Sequence, residues 1–384
     1  MELKNLHQQI RQLVTLEKSE APLISCYLNL ENGVAGYRVF MDERIALLRK
    51  SFSGNTRRTL EEAFGRLETY LANELQADAK GAAVFVRGGK QPFFLPLQFR
   101  VPLPNWLAVD EVPNVYHLVE LKDTYHRYVV VMTNEESARI FEVNLGAVTE
   151  QIWKERPELR DRVDHGWTKE HYQHHRREQA EQFIKEKIKI VDRLMSAGGH
   201  THLILAGEPR MVSRLQRSLP KHLAAKVVDI VAATPRDSIS DIVAATISAF
   251  VEREEVESQA MVDRLQHELN TNGLAAVGTT ESLNALRWGQ ADVLVLAKAY
   301  ESETGWACVG CSAMGADNKV PAVCPECGEK KIREVNVKEE MVRLAEKNNC
   351  KVEIVNHSDM LMAMGGVGCL LRYQLMMMET GKES

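Results

Sequence analysis

Apolar residues along this chain fall into two kinds of run. Some are short and unbroken; others recur every three or four positions. PLISCYLNL (Pro22–Leu30) and GAAVFV (Gly81–Val86) are bounded apolar runs of strand length, which predicts buried strands. Between them, Leu60, Phe64, Leu67, Leu71 and Leu75 share one helical face. The opening MELKNLHQQIRQLVTLEKSE has the spacing of a polar amphipathic helix. The proline-bearing PLQFRVPLPNW breaks the pattern, and extended segments are expected out to about Leu121.

A second unit starts near Tyr125, where YVVVMTNEESARIFEV (Tyr128–Val143) predicts a β-hairpin with TNEES as its turn. A less regular stretch, Asn144 to Asp164, leads into a long helix. Its apolar stripe is Phe183, Ile184, Ile188, Val191, Leu194 and Met195, and the glycines of SAGGH end it. THLILAG and KVVDIV are expected as buried strands separated by a helix, which argues for an α/β layer. TPRD predicts a helix start, with Thr234 as cap, Pro235 at the first position and Asp237 reaching back. That helix is expected to run past Arg253 as a charged connector.

The last third repeats the alternation. GTTESLNALRWGQADVLVLAKAY reads as a strand end, a capped helix, a glycine stop and a strand. VKEEMVRLAEKNN is a helix and CKVEIVN a strand, and MGGVGCLLRYQL closes the chain as a turn plus strand. Cys350 and Cys369 flank strands and are expected in the core. MGGVGC (Met364–Cys369) lacks the lysine and following helix of a phosphate loop. The tail Met376–Ser384 is expected to fray. These patterns divide the chain into domains at 1–123, 124–256 and 257–384.

The chain has 384 residues, 45% hydrophobic and 26% charged. That is ordinary globular composition, with length for roughly two to four domains. No apolar run approaches the roughly 18 residues that span a bilayer, and the start does not resemble a secretory signal. A cytoplasmic, monomeric protein with no membrane partner is expected. The formal net charge is -5. From Gln151 to Lys226, however, there are 16 Lys and Arg against 10 Asp and Glu, together with seven of the twelve histidines. A local basic excess in an acidic chain suggests one RNA-facing module; a solvated helix face is the bland alternative.

The seven cysteines argue against a disulfide framework. Four of them follow Cys308-x2-Cys311-x12-Cys324-x2-Cys327. Each CxxC puts two thiolates on one turn, and two such knuckles complete a tetrahedron around Zn²⁺. Gly310 and Gly328 stand where knuckle turns favour a permissive backbone. Four ligands leave no open position, so the expected zinc is structural. A redox motif is the alternative, but those come singly beside a βαβ unit.

DHGWTKEHYQHHRREQ (Asp164–Gln179) admits three readings. His171 and His175, one helical turn apart, suit two metal ligands, with no clear third. A histidine there could act as a general base, although no nucleophile or oxyanion donor stands beside it. The third reading is an RNA-contact tip. Trp167 offers a face for base stacking, and Lys169, His174, Arg176 and Arg177 can meet phosphates. Thr168 can cap the helix, whose N-terminus favours anions. Arg57 and Arg58, after SGNT, are further RNA-contact candidates, with a solvated helix start as the alternative.

The segments GTTESLNALRWGQADVLVL and CKVEIVNHSD through MGGVGCLLRY, flanking the cysteine insert, resemble the C-terminal domain of archaeal and eukaryotic class-one release factors and of Pelota. THLILAG, KVVDIV and ARIFEV resemble that family's middle domain, and PLISCYLNL the start of its N-terminal domain. The resemblance implies an α/β and α+β multidomain protein: an N-terminal α/β domain, an RNase H-like middle domain, and a C-terminal α/β sandwich with a zinc ribbon inserted at about 306–329. Laid on the basic helix, the family's Gly-Gly-Gln loop falls on His165-Gly166-Trp167-Thr168, with Trp167 in place of the glutamine. The Asn-Ile-Lys-Ser decoding motif falls on Asn55-Thr56-Arg57-Arg58. Pelota and a bacterial, Balon-like branch of hibernation factors also lack the glutamine, and this sequence is most similar to that branch.

The resemblance therefore implies a non-catalytic factor in the ribosomal A site, touching rRNA through His165, Gly166, Trp167, Thr168, Lys169, His171, His174, His175, Arg176 and Arg177. It implies a role in hibernation or the handling of stalled ribosomes under stress, with a translational GTPase such as elongation factor Tu as partner. A divergent peptidyl-tRNA hydrolase is the alternative. A metal-dependent nuclease ranks last, because YVVVMT and THLILAG carry no carboxylates.

Overall fold

The computed structural model describes residues 6–125, 127–134, 137–155, 169–198, 200–234, 237–301, 304–311, 313–317 and 319–373; for 149–151, 153–155, 169–177, 179 and 198 it describes the backbone alone. The tail expected to fray lies outside the described residues. The chain divides into two compact units, Met1–Thr124 with Glu254–Ser384, and Tyr125–Arg253.

In the first unit, helix α1 (Leu6–Val14) buries Leu6, Ile10, Leu13 and Val14, one stripe at helical spacing. Strand β1 (Leu23–Asn29) follows, and then helices α2 (Gly33–Ser51) and α3 (Gly54–Asn73), strands β2 (Gly81–Arg87), β3 (Phe93–Phe99) and β4 (Trp106–Asp110), and helix α4 (Tyr116–Thr124). The strands form an antiparallel sheet in the order β3-β2-β1-β4. β1 is apolar nearly throughout because both its faces are covered. Leu60, Phe64, Leu67 and Leu71 of α3 and Tyr37, Met41 and Ile45 of α2 share one core with Ile24, Cys26 and Leu28. α2 has no counterpart among the expected elements. Exposed Val34, Val39 and Leu47 blur its period.

The second unit contains β5 (Tyr128–Thr133), β6 (Ser137–Asn144), β7 (Ala147–Glu155), α5 (Lys169–Gly198), β8 (His202–Gly207), α6 (Pro209–Ser218), α7 (Lys221–Ala224), β9 (Val227–Ala232) and the first half of α8 (Ile239–Asn270). Its sheet runs β7-β6-β5-β8-β9. The first three strands are antiparallel, and β5, β8 and β9 are parallel. Alternate residues of β5 serve opposite faces. Val129 and Val131 meet α5 and α6, whereas Tyr128, Val130 and Met132 meet Ile242, Val243 and Phe250 of α8.

Three expectations for this unit change. The region after Asn144, expected to be irregular, contains β7. Leu145 and Gly146, both at positive φ, close a two-residue hairpin onto it. β9 is a half-exposed edge strand, not a buried one. The helix expected at TPRD begins later. Asp237 accepts the Thr234 backbone N–H at 2.6 Å in a turn, while Ser238 and Asp241 exchange bonds at the start of α8.

The remainder of the first unit contains β10 (Ala275–Val277), α9 (Thr279–Arg287), β11 (Ala291–Ala297), β12 (Thr304–Cys308), β13 (Met314–Gly315), β14 (Ile332–Asn336), α10 (Val337–Lys347), β15 (Lys351–Val355), α11 (Asp359–Ala363) and β16 (Val367–Leu371). One sheet runs β10-β16-β11-β15; a three-stranded sheet runs β13-β12-β14. Gly365 and Gly366, both at positive φ, make the tight turn before β16.

α4 replaces the extended segment expected near Leu121. Its first N–H groups are satisfied from far along the chain: Val115 and Tyr116 donate to Glu339 Oε2 at 3.0 and 3.2 Å. Lys122 pairs with Glu346 at 2.6 Å, and Asp123 accepts the Ile354 N–H at 2.6 Å. Lys298 reaches Glu120 at 2.8 Å. This polar seam ties the first and last segments of sequence into one unit.

Candidate nucleic-acid interface and metal centre

The cysteine spacing yields a four-sulfur cluster. The Sγ atoms of Cys308, Cys311, Cys324 and Cys327 all lie within 4.8 Å of one another. Cys308 and Cys327 approach to 3.6 Å, and Cys311 and Cys324 to 3.5 Å. Tetrahedral zinc with bonds of about 2.3 Å sets its sulfurs about 3.8 Å apart, so the spacing and the all-thiol donor set fit that ion.

Local sequence builds the cluster. β12 delivers Cys308 from one end, and the Cys308 and Cys324 N–H groups are tied to Ala313 and Glu329 carbonyls at 2.7 and 2.8 Å. Gly328 adopts φ +74, the permissive backbone expected of a knuckle. Gly310 does not. Instead, its N–H donates to Cys308 Sγ at 3.3 Å. Trp306, Cys308, Ala313 and Cys324 are the small core of this sheet, with Cys311 and Cys327 at the surface. Desolvation opposes ionisation of Cys324, but backbone N–H groups of Cys327 and Glu326 and the neighbouring thiols outweigh it and bring the thiol down to about 7. Contacts with the neighbouring thiols push Cys311 and Cys327 the other way, so the cluster does not ionise as a set ahead of a metal, and binding an ion there would release protons.

The basic helix forms as expected. α5 begins at Lys169, one residue after Thr168, and ends at Gly198. Its buried stripe is Phe183, Ile184, Val191, Leu194 and Met195, so the first turns lie upstream of the packed part. Lys187 interrupts the stripe. It is buried, donates to Thr133 Oγ1 at 2.5 Å, and lies 4.0 Å over the Phe183 ring. Nothing in the sequence pattern signalled a buried lysine here.

His171, His174, His175, Arg176 and Arg177 fall on the first turns of α5, with positions 171 and 175 one turn apart. His165, Gly166, Trp167 and Thr168 lie outside the described residues. Arg57 and Arg58 are exposed on the first turn of α3, which starts at Gly54 with φ +60. They belong to the first compact unit, whereas positions 165–177 belong to the second. The expected basic excess is also spread more widely than the loop. Arg210, Arg214 and Arg217 of α6, which sequence reading did not single out, lie on the side opposite the buried Met211, Val212 and Leu215.

This chain is similar to several known proteins. Residues 113–250 match the profile of bacterial archaeo-eukaryotic release factor family 10. Peptide chain release factor subunit 1 of Thermococcus onnurineus is 28% identical over 145 residues, 32% of this chain and 34% of that factor, so this match spans about a third of the relative's length. The Pyrococcus abyssi factor of the same description is 21% identical over 97% of this chain and 99% of its own. Among solved structures, Archaeoglobus fulgidus Pelota aligns at 13% identity over 97% of this chain and 93% of that one, with a TM-score of 0.38.

Proposed function

Because this chain belongs to the release factor- and Pelota-like family, we propose that it is a translation factor that occupies the ribosomal A site without hydrolysing peptidyl-tRNA. The observation that carries this is the substitution inside the matched segment. By the resemblance of the basic helix, the family's loop falls inside the matched segment 113–250, and there this chain carries His165-Gly166-Trp167 in place of Gly-Gly-Gln. An indole cannot position a water for attack on an ester as a side-chain amide can, but it stacks on an unpaired base. In this reading Trp167 is the adhesive tip, and Lys169, Arg176 and Arg177 on α5 neutralise phosphates behind it. Arg57 and Arg58 contact RNA from the other unit.

The β7-β6-β5-β8-β9 sheet serves as an RNase H-like layer that carries α5. Cys308, Cys311, Cys324 and Cys327 hold a structural Zn²⁺, which fixes an insert with few core residues of its own. The surrounding C-terminal domain docks a translational GTPase such as elongation factor Tu. The protein acts in the cytoplasm as a monomer, during hibernation or on stalled ribosomes.

Sedimentation of tagged protein with ribosomes from growing and starved cells, followed by imaging of the bound fraction, tests this. Density for the chain in the A site is expected. Release of nascent chains by the pure protein, abolished by His171→Ala but not by Trp167→Ala, would instead establish the divergent hydrolase.

A further inference from the structure

We propose that α6 and α7 present a second RNA-binding surface, an arginine ridge that grips the phosphate backbone independently of the loop. Residues 209–226 contain five Lys and Arg and no Asp or Glu. Arg210, Arg214 and Arg217 stand at i, i+4 and i+7 of α6, within a narrow arc of the helix and about 10 Å from end to end. Lys221, exposed at the start of α7, adds a fourth cation four residues after Arg217. Met211, Val212 and Leu215 fix the opposite face of α6 in the core, and Leu223 anchors α7 to the same core. The cations therefore stand on a rigid base.

Two features point to nucleic acid as the occupant. First, among the described residues none of these four cations has an ion-pair partner, although the adjacent His222 is held by Asp192 at 2.9 Å. A row of uncompensated charge on a fixed helix raises the local potential and attracts a polyanion. Second, no large hydrophobic side chain is exposed anywhere in residues 209–226. A protein interface needs an apolar or aromatic centre to supply its affinity, and this ridge has none. Backbone recognition of RNA needs only guanidinium forks and small polar neighbours, here Ser213, Gln216 and Ser218. The ridge rests on the proposed function only in taking ribosomal RNA as the source.

Fluorescence anisotropy of the full chain with a labelled RNA hairpin, across a salt series from about 50 to 200 mM, reads the ridge directly. In R210Q/R214Q/R217Q, affinity is expected to fall about 10- to 100-fold at low salt, and the slope of log K against log salt to flatten by about 2–3. The charge-matched control K90Q/R264Q/K347Q, made at exposed positions elsewhere, should keep the parent slope. An unchanged slope in the ridge variant overturns the proposal. So does equal displacement of the RNA by polyglutamate, which would assign the surface to an acidic protein. Because the RNA is free in solution, either result leaves A-site binding through Trp167 to be judged by sedimentation.

Discussion

Glu339 accepts the backbone N–H of Tyr116 at 3.2 Å across 223 positions of sequence. The same oxygen takes the Val115 N–H at 3.0 Å, so one carboxyl satisfies two donors at the start of α4. Burial pushes this carboxyl from its ordinary 4.5 up to about 8, against the lowering effect of those two N–H groups.

That shift has a direction. Between about 4.5 and about 8 the folded chain keeps a proton on Glu339 that the unfolded chain has lost. Its contribution to stability is therefore full at low pH and is lost as pH rises through 8. Urea melts should show the first unit weakening by about 1–3 kcal/mol from pH 5 to 8.5, and Glu339→Gln should flatten that slope. A Gln variant with the parent's pH dependence would remove Glu339 as the cause.

Zinc bound at the four thiols should be measurable as about one ion per chain in metal analysis. Cys324→Ser with Cys327→Ser should abolish it. Amide exchange in residues 304–336 should then speed up by orders of magnitude, because among the described residues the buried cluster of that sheet is Trp306, Cys308, Ala313 and Cys324, with Ile332 packed against it. Full protection of this segment in metal-stripped protein would show that the cluster needs no ion.

Trp167→Ala should weaken ribosome binding about 5- to 100-fold, the loss of one base-stacking contact. The thermal melt should not move. Unaltered co-sedimentation of the Ala variant would exclude the indole as the contact.

Gly207→Ala should disrupt the second unit. Gly207 ends β8 at φ +139, and an added Cβ would stand 2.1 Å from the Thr133 carbonyl oxygen on the neighbouring β5. Backbone cannot yield there, so a loss of more than about 3 kcal/mol is expected in chemical denaturation. A variant with the parent's midpoint would mean that the strand ends separate without cost.

Much of the candidate site was legible because its signals are local. The double CxxC spacing singles out the four clustered thiols without any tertiary information, and the i, i+3, i+4 stripe of α5 announces a packed helix wherever it packs. The ridge on α6 was less legible. Its arginines were counted in a regional charge excess, but only the burial of Met211, Val212 and Leu215 shows that they share the face turned from the core, with Arg210 and Arg217 exposed and Arg214 half-buried.

The sequence by itself determined what short-range rules control: helices whose apolar residues recur at one face, strands buried on both sides, glycine turns before β16, and four thiols at metal spacing. Tertiary structure decided what depends on distant partners. α4 has nine residues, too few to be stable alone, and it stands because Glu339 completes its first turn. β7 reads as irregular in isolation and becomes a strand through its ladder with β6. β9 has a core-strand sequence yet forms the sheet edge, because strand order is set by which neighbours arrive, not by hydrophobicity alone.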